Sequence, residues 1–315
     1  MAIPGTPSAL EATRTVDYRL AVDYQLNEVT GKLRPLAGSS AQYKDKMAQI
    51  VDRFDDLAVT EIISRNADTV NTDIDVERRF ILKPRRQAVA PLIDRDDMLS
   101  TKIDLTSPIA HQTAVAIRRA QDDRFLEGYY GTAYTGETGT TAVAFKAANI
   151  LAVDYSTGGT STGITVNKLI GMMEKFRTAL VDVEAEKPIG LLTAKQVSDL
   201  LKINEVRSRD YNPGLALALQ SGKPGDFMGF RFVWAELGNA RAYVKGSVLT
   251  DAGGGVRRVP FFVPSGMHFG MWEEFNGKIT ERDDKNMSTQ IYGETCGAAT
   301  RVNEDKCFQM LCLEV

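Results

Sequence analysis

The residues best suited to proton transfer near neutral pH are two histidines, His111 and His268. Neither has the company that catalysis needs. His268 stands in Ser265-Gly266-Met267-His268-Phe269, a stretch that reads as a strand. A catalytic base there needs a nucleophile and an orienting acid, and no motif supplies either. His111 falls in the first turn of a predicted helix, where a histidine is usually a surface residue. Glu184 with Glu186, and Asp96 with Asp97, are the obvious carboxylate pairs, but close-set acids in loops are mostly solvated and no acid–base role follows.

Other chemistries fare no better. The Gly/Thr-rich loop at 135–141 contains no lysine and leads into an extended segment, whereas a phosphate-binding loop needs Gly-Lys-Ser/Thr opening a helix. A glycine-bearing turn is the expectation. Cys296, Cys307 and Cys312 are odd in number and form no Cys-x-x-Cys, so a structural zinc site is not expected; reduced thiols buried in strands are. No Gly-x-Ser-x-Gly, His-Glu-x-x-His or dinucleotide-binding fingerprint occurs. No catalytic residue, metal or cofactor is assigned.

Bulk properties narrow the field further. The 315 residues are 43% apolar and 25% charged, an average globular composition with ample core. The longest apolar runs are too short to cross a bilayer, which takes about 20 residues, and the first residues lack a secretory signal, so a cytoplasmic product is expected. The formal net charge is −3. Proteins that grip nucleic acid through phosphates usually carry a basic excess. Either nucleic acid is no partner, or it is one the surface is built not to hold.

Several elements can be placed. Val16, Tyr18, Leu20, Val22, Tyr24 and Leu26 alternate with mostly polar residues, although Val16, Leu20 and Tyr24 also share a helical face. Either way the segment reads as an arm. Residues 72–97 are the oddest stretch by charge: Asp73, Asp75 and Glu77, then Arg78, Arg79, Lys83, Arg85 and Arg86 with no acid among them, then Asp94, Asp96 and Asp97. Pro84 and Pro91 in an extended run suggest edge strands and a long two-stranded excursion. One reading is a solvated hairpin; the other is an arm laid across a neighbour, its acidic and basic patches meeting between subunits.

Ser107-Pro108 predicts a helix start, followed by Ile109, Ala110, Ala114, Ala116, Ile117 and Ala120, with Gln112, Arg118, Arg119, Asp122 and Asp123 opposite. Run to Gly128, that helix is about 30 Å long. Residues 166–181 predict a helix with Leu169, Ile170, Met173, Phe176 and Leu180 on one face. A short buried strand follows at 188–192, then a helix capped by Thr193. After Pro213, strands are predicted at 229–234, 259–263, 267–272, 290–292 and 306–315, with Gly253-Gly254-Gly255 as a turn.

From about residue 60 onward the sequence resembles the major capsid proteins of tailed bacteriophages. The resemblance is carried by Arg78-Arg79-Phe80, Leu92-Ile93-Asp94, the run from Ile103 to Ala110, Arg118-Arg119-Ala120-Gln121-Asp122, Gly131-Thr132-Ala133-Tyr134-Thr135-Gly136 and Leu191-Leu192-Thr193-Ala194-Lys195-Gln196. It continues through Arg209-Asp210-Tyr211-Asn212, Gly229-Phe230-Arg231-Phe232, Val259-Pro260-Phe261-Phe262-Val263 and Gly297-Ala298-Ala299-Thr300-Arg301. The order and spacing of these segments carry more than any one of them.

The resemblance implies an α+β, Hong Kong 97-like capsid fold. Its parts would be an N-terminal arm and lead-in (1–60), an extended E-loop hairpin (61–104), a peripheral domain with a long spine helix (105–165) and an axial α/β domain (166–255). Residues 256–315 would return as strands to the peripheral domain, the last strand joining the axial one. It implies a non-enzymatic shell subunit that forms hexamers and pentamers around double-stranded DNA contacted only weakly and non-specifically, and no membrane. The implied partners are a separate scaffolding protein, since few residues precede the E-loop, a portal protein and, as an optional addition, a decoration protein. Arg78, Arg79, Arg85, Arg86, Asp94, Asp96 and Asp97 are the candidate inter-subunit contacts. Lys83 lies in the loop, but lysine–asparagine crosslinking is not carried over. The alternatives are an encapsulin-type nanocompartment shell, a cytosolic α/β enzyme with a pocket at His268, and a tail or decoration protein.

Overall fold

The computed structural model describes residues 31–54, 76–100, 106–203 and 226–314, with a few single positions between 54 and 76. The stripe from Val16 to Leu26 and the Arg209–Asn212 motif lie outside these residues. In chain order the elements are β1 (Ser39–Gln42), β2 (Met47–Phe54), β3 (Val76–Leu82), β4 (Gln87–Val89), β5 (Leu92–Ile93), α1 (Arg95–Ser100), α2 (Thr106–Tyr130), β6 (Ala133–Thr135), β7 (Thr141–Val143) and β8 (Ile150–Leu151). Then come α3 (Val166–Thr178), β9 (Ile189–Leu192), α4 (Ala194–Lys202), β10 (Asp226–Phe227), β11 (Phe230–Trp234), α5 (Val244–Thr250) and β12 (Asp251–Gly253). The last four are β13 (Val256–Phe262), β14 (Met267–Arg282), β15 (Ser288–Arg301) and β16 (Cys307–Leu313).

These strands make three sheets. The first sheet, which holds strands of the expected axial domain, runs β10-β11-β9-β13-β16-β8, with β12 on β13. Its central strands are buried on both faces, so they read as unbroken apolar runs rather than alternating ones. Along β13, Phe261 joins a core with Leu169, Met172 and Phe176 of α3, while Phe262 points the other way, into a core with Phe125 and Tyr129 of α2. Phe308 and Cys307 divide in the same way on β16.

The second sheet runs β1-β14-β15-β4, with β5 also on β15. Helix α2 lies along β15 over 25 residues, about 37 Å at 1.5 Å per residue. Small residues permit that approach: a Cβ on Gly128 would stand 2.1 Å from the carbonyl oxygen of Ala299. The third sheet, β2-β3-β6-β7, carries the two-stranded arm.

Local signals decide where several elements stop. Thr193 and Gln196 form a reciprocal capping box at the start of α4. Gly253, Gly254 and Gly255 all take positive φ in the turn between β12 and β13. Helix α3 ends at Thr178, short of the expected 181, in a Schellman turn: the Leu180 N–H donates to Arg177 O and the Val181 N–H to Phe176 O. Leu180 therefore sits at φ +55°, 86% exposed, and Ile170 is half-exposed, while Met172 takes the buried place on the helix face.

Four further expectations change. The partner of the charged strand β3 is β2, upstream at Met47–Phe54, so the hairpin begins before residue 61. After Pro84, which has no N–H to continue a ladder, residues 87–93 leave the arm and pair with β15. Strand β13 pairs with β9 and β16 in the first sheet and not with the β14–β15 sheet; its two apolar faces are both covered there. Asp122 and Asp123, placed on the outer face of the spine helix by periodicity, are buried.

Candidate assembly surface and the charges at the arm root

The candidate contact residues separate into three environments. Arg78 is half-exposed on β3, its Nε 3.5 Å from Asp52 on β2. Arg85 is exposed, and its carbonyl accepts from Arg124. Arg86 is 64% exposed and lies 3.2 Å from Glu294 of β15. Glu294 also accepts from Tyr292 Oη at 2.8 Å and Asn276 Nδ2 at 3.3 Å, and the tyrosine hydroxyl holds this carboxyl below its usual range.

Arg79 corrects the expectation. Its side chain is 2% exposed and is committed inside the chain. The guanidinium forks onto both oxygens of Glu304, at 2.9 Å from NH1 and closer from NH2, with Glu77 3.0 Å away. It cannot serve as a contact to a neighbour. Strand alternation puts the side chains of Arg78 and Arg79 on opposite faces, which separates the two adjacent arginines.

The acids form the third group. Asp94 and Asp96 are exposed and Asp97 is partly so, just beyond β5 and in the first turn of α1, where negative charge suits the helix start. They lie beside the far end of the β14–β15 ribbon, where β5 pairs with Thr289 and Gln290. Nothing brings them onto Arg78 or Arg85 within the described residues.

Periodicity missed the partners of Arg79. Glu304, 3% exposed, stands in the turn between β15 and β16. Arg301 is buried beside it, donating to Tyr129 O at 2.5 Å, Gly131 O at 2.6 Å and Val143 O at 3.2 Å. Asn149 Nδ2 holds the carbonyls of Glu304 and Cys307. From β2, Arg53 reaches Asn303 at 3.1 Å and Asp305 at 3.6 Å. Both arm strands thus end on one turn, 303–305. Arg301 ends the Gly297–Arg301 motif, but Glu304, 225 positions from Arg79, gives no local signal.

The remaining candidates are structural. His268 is buried, with Ser39 Oγ 2.7 Å from Nδ1 and Tyr43 Oη 3.0 Å from Nε2, and burial pushes its pKa down to about 4. Both nitrogens are used to fasten β1 to β14. Burial pushes the Cys307 and Cys312 thiols up to about 12, which suppresses the thiolate. The 135–141 loop is a β-hairpin turn, and the hollow beside it is lined by Glu77 and Glu137 with Arg78, two acids to one cation. Among the described residues no cluster of His, Cys, Asp or Glu is placed to hold a metal, and no helix is long and apolar enough to cross a membrane.

The family model for phage capsid protein matches residues 10–314, nearly the whole sequence. The chain belongs to that family. Its fold is found in the capsid of Ralstonia phage GP4 (TM-score 0.65, 12% identity, 100% of this chain and 99% of that one) and in the capsid of a native GTA particle (0.63, 14%, 98% and 99%). The capsid of cyanophage P-SCSP1u is similar (0.63, 12%, 89% and 87%). No curated protein matches by sequence. The capsid subunit therefore has the Hong Kong 97-like fold and is a phage capsid protein, a self-assembling component of the virion shell. The family match lends the encapsulin alternative no support.

Proposed function

We propose that the capsid subunit assembles in the host cytoplasm into hexamers and pentamers of an icosahedral shell, and that the β2–β3 arm is its reach onto a neighbour. One observation carries the second half: at the end of the described β2–β3 ladder, next to Arg53, Phe54 is 64% exposed, with Val76 and Ile74 also open to solvent. An apolar arm end left in water asks for a covering surface. Arg78, Arg85 and Arg86 then meet acids on the neighbour, with Asp94, Asp96 and Asp97 as candidates. Each surface ion pair is worth only about 0–1 kcal/mol, but a closed lattice engages many contacts per subunit at once. The work is geometric and no catalytic step is involved. A scaffolding protein, a portal and a decoration protein are the expected partners, and the net charge of −3 suits a wall that encloses DNA without gripping it.

Phe54→Asp and the pair Arg78→Glu with Arg85→Glu test this, each expressed with the neighbouring genes. Both variants should melt like the native subunit, while electron microscopy finds few or no closed particles. Normal particles from Phe54→Asp would remove the arm from the assembly contact; normal particles from the arginine pair would remove its electrostatic part.

A further inference from the structure

We infer that the Arg79–Glu304 pair welds the root of the arm to the axial domain, so that the arm's direction is set by the first sheet and not by a hinge at the arm's own base. The inference rests on reading β2–β3 as the assembly arm.

The backbone alone holds the arm weakly. Strand β3 pairs with β6 at only two positions, Arg79 with Thr135 and Phe80 with Tyr134. A ladder that short leaves the hairpin free to twist, and the side chains remove that freedom. Arg79 on β3 and Arg53 on β2 both end on the turn 303–305, giving each strand its own attachment to the same piece of backbone. A bidentate fork fixes orientation as well as distance, which a single contact does not. Thr135 Oγ1 lies 2.8 Å from Arg78 O and 3.0 Å from Glu77, tying the root across to β6.

The turn itself is immobilised from the other side. Glu304 precedes β16, a central strand of the first sheet, by three residues. Asn149, just before β8, clamps the carbonyls on both sides of the turn. Arg301 binds the carbonyls that end the spine helix and one from β7. Four parts of the molecule therefore converge here: arm, spine-helix end, ribbon and first sheet.

Stability does not explain the choice of charges. Replacing a buried ion pair by well-packed apolar groups is often neutral or stabilising, since desolvation offsets the attraction. What an ion pair supplies and a methyl contact does not is one preferred angle. In a shell whose copies occupy non-identical surroundings, this block should stay fixed while adjustment occurs elsewhere.

The decisive variant is Arg79→Met with Glu304→Leu. In the unassembled subunit, spin labels on Phe54→Cys in β2, beyond Arg53, and Arg177→Cys in α3 read the arm against the axial domain; the native thiols are buried. The native background should give one narrow distance distribution, broadened at least about twofold in the apolar pair, which forfeits the fixed fork. An equally narrow distribution in the apolar pair, or a broad one in the native background, overturns the inference whether or not shells form. If the apolar pair does not fold, the native shell decides. Superposed on β13 and β16, every copy should keep the Arg79–Glu304 contact. A copy with the contact broken and β2–β3 swung away overturns the weld. Failure to form any shell would count against the assembly reading alone.

Discussion

The capsid subunit buries charge in two places by opposite means. At the arm root Glu304 is held by cations, Arg79 in a fork and Arg301 with its Nε 3.9 Å away. On the spine helix, Asp122 and Asp123 are held by backbone amides. Asp122 accepts from the N–H groups of Gly31, Lys32 and Leu33, at 2.8, 3.2 and 3.1 Å. Asp123 accepts from Lys245 and Gly246 at the start of α5, at 3.2 and 2.9 Å. The difference lies in what each arrangement can join. Amides belong to a chain passing close by, so the aspartates fasten neighbouring segments onto the helix. A long guanidinium reaches further and presents a fork, so the root can align elements that share almost no backbone ladder.

The largest effect should come from breaking the ionic arrangement on one side. Glu304→Ala leaves Arg301 without its carboxylate and Arg79 with only Glu77, so about 3–5 kcal/mol of unfolding free energy should be lost. Denaturant unfolding of the unassembled subunit measures it. A loss under about 1 kcal/mol, the scale of a surface pair, would mean that water reaches the root and that the contrast is false.

Asp122→Asn tests the amide arrangement. One carboxylate oxygen becomes an NH2 facing an N–H, and the expected loss is about 1–3 kcal/mol at neutral pH, with faster hydrogen exchange at Gly31, Lys32 and Leu33. Acid separates the arrangements further. Burial, outweighing the amide bonds, raises Asp122 and Asp123 above the ordinary carboxylate value of 3.8. The folded chain then binds these protons more readily than the unfolded one. Their contribution to stability is complete below about 3.8 and declines as pH rises through the raised values. Native stability should therefore gain on that of Asp122→Asn as pH falls from neutral toward 4. A gap that narrows instead would mean that the amides, and not desolvation, dominate, and a flat one that the two cancel.

What the sequence disclosed follows the same division. Elements fixed by neighbours in the chain were legible: the Thr193–Gln196 cap, the triple-glycine turn, the apolar runs of β9 and β13, and the helix opened by Pro108. Strand β2 was not, because an arm that awaits a partner leaves Met47, Val51 and Phe54 exposed and lacks a clean alternation. The aspartates misled because charge on an alanine-rich helix ordinarily marks the solvent side. Arg79 is legible as a charge and as a candidate contact to a neighbour, but its partner is inside the chain. Its partner lies 225 residues away, a separation no periodicity can span.

The smallest effect sharpens the comparison most, because it keeps the chemistry and changes only depth. Arg86–Glu294 is an arginine–glutamate pair like the one at the root, but Arg86 is largely in water and Glu294 keeps Tyr292 and Asn276 when the arginine is removed. Arg86→Ala should cost about 0–1 kcal/mol. At 1 M salt, where screening acts within about 3 Å, even that should vanish, while the cost of Glu304→Ala persists because the root excludes ions. If instead Arg86→Ala costs as much as Glu304→Ala, burial does not separate the two pairs, and the exposed arginine is fixing the β4 crossing as firmly as the buried one fixes the arm.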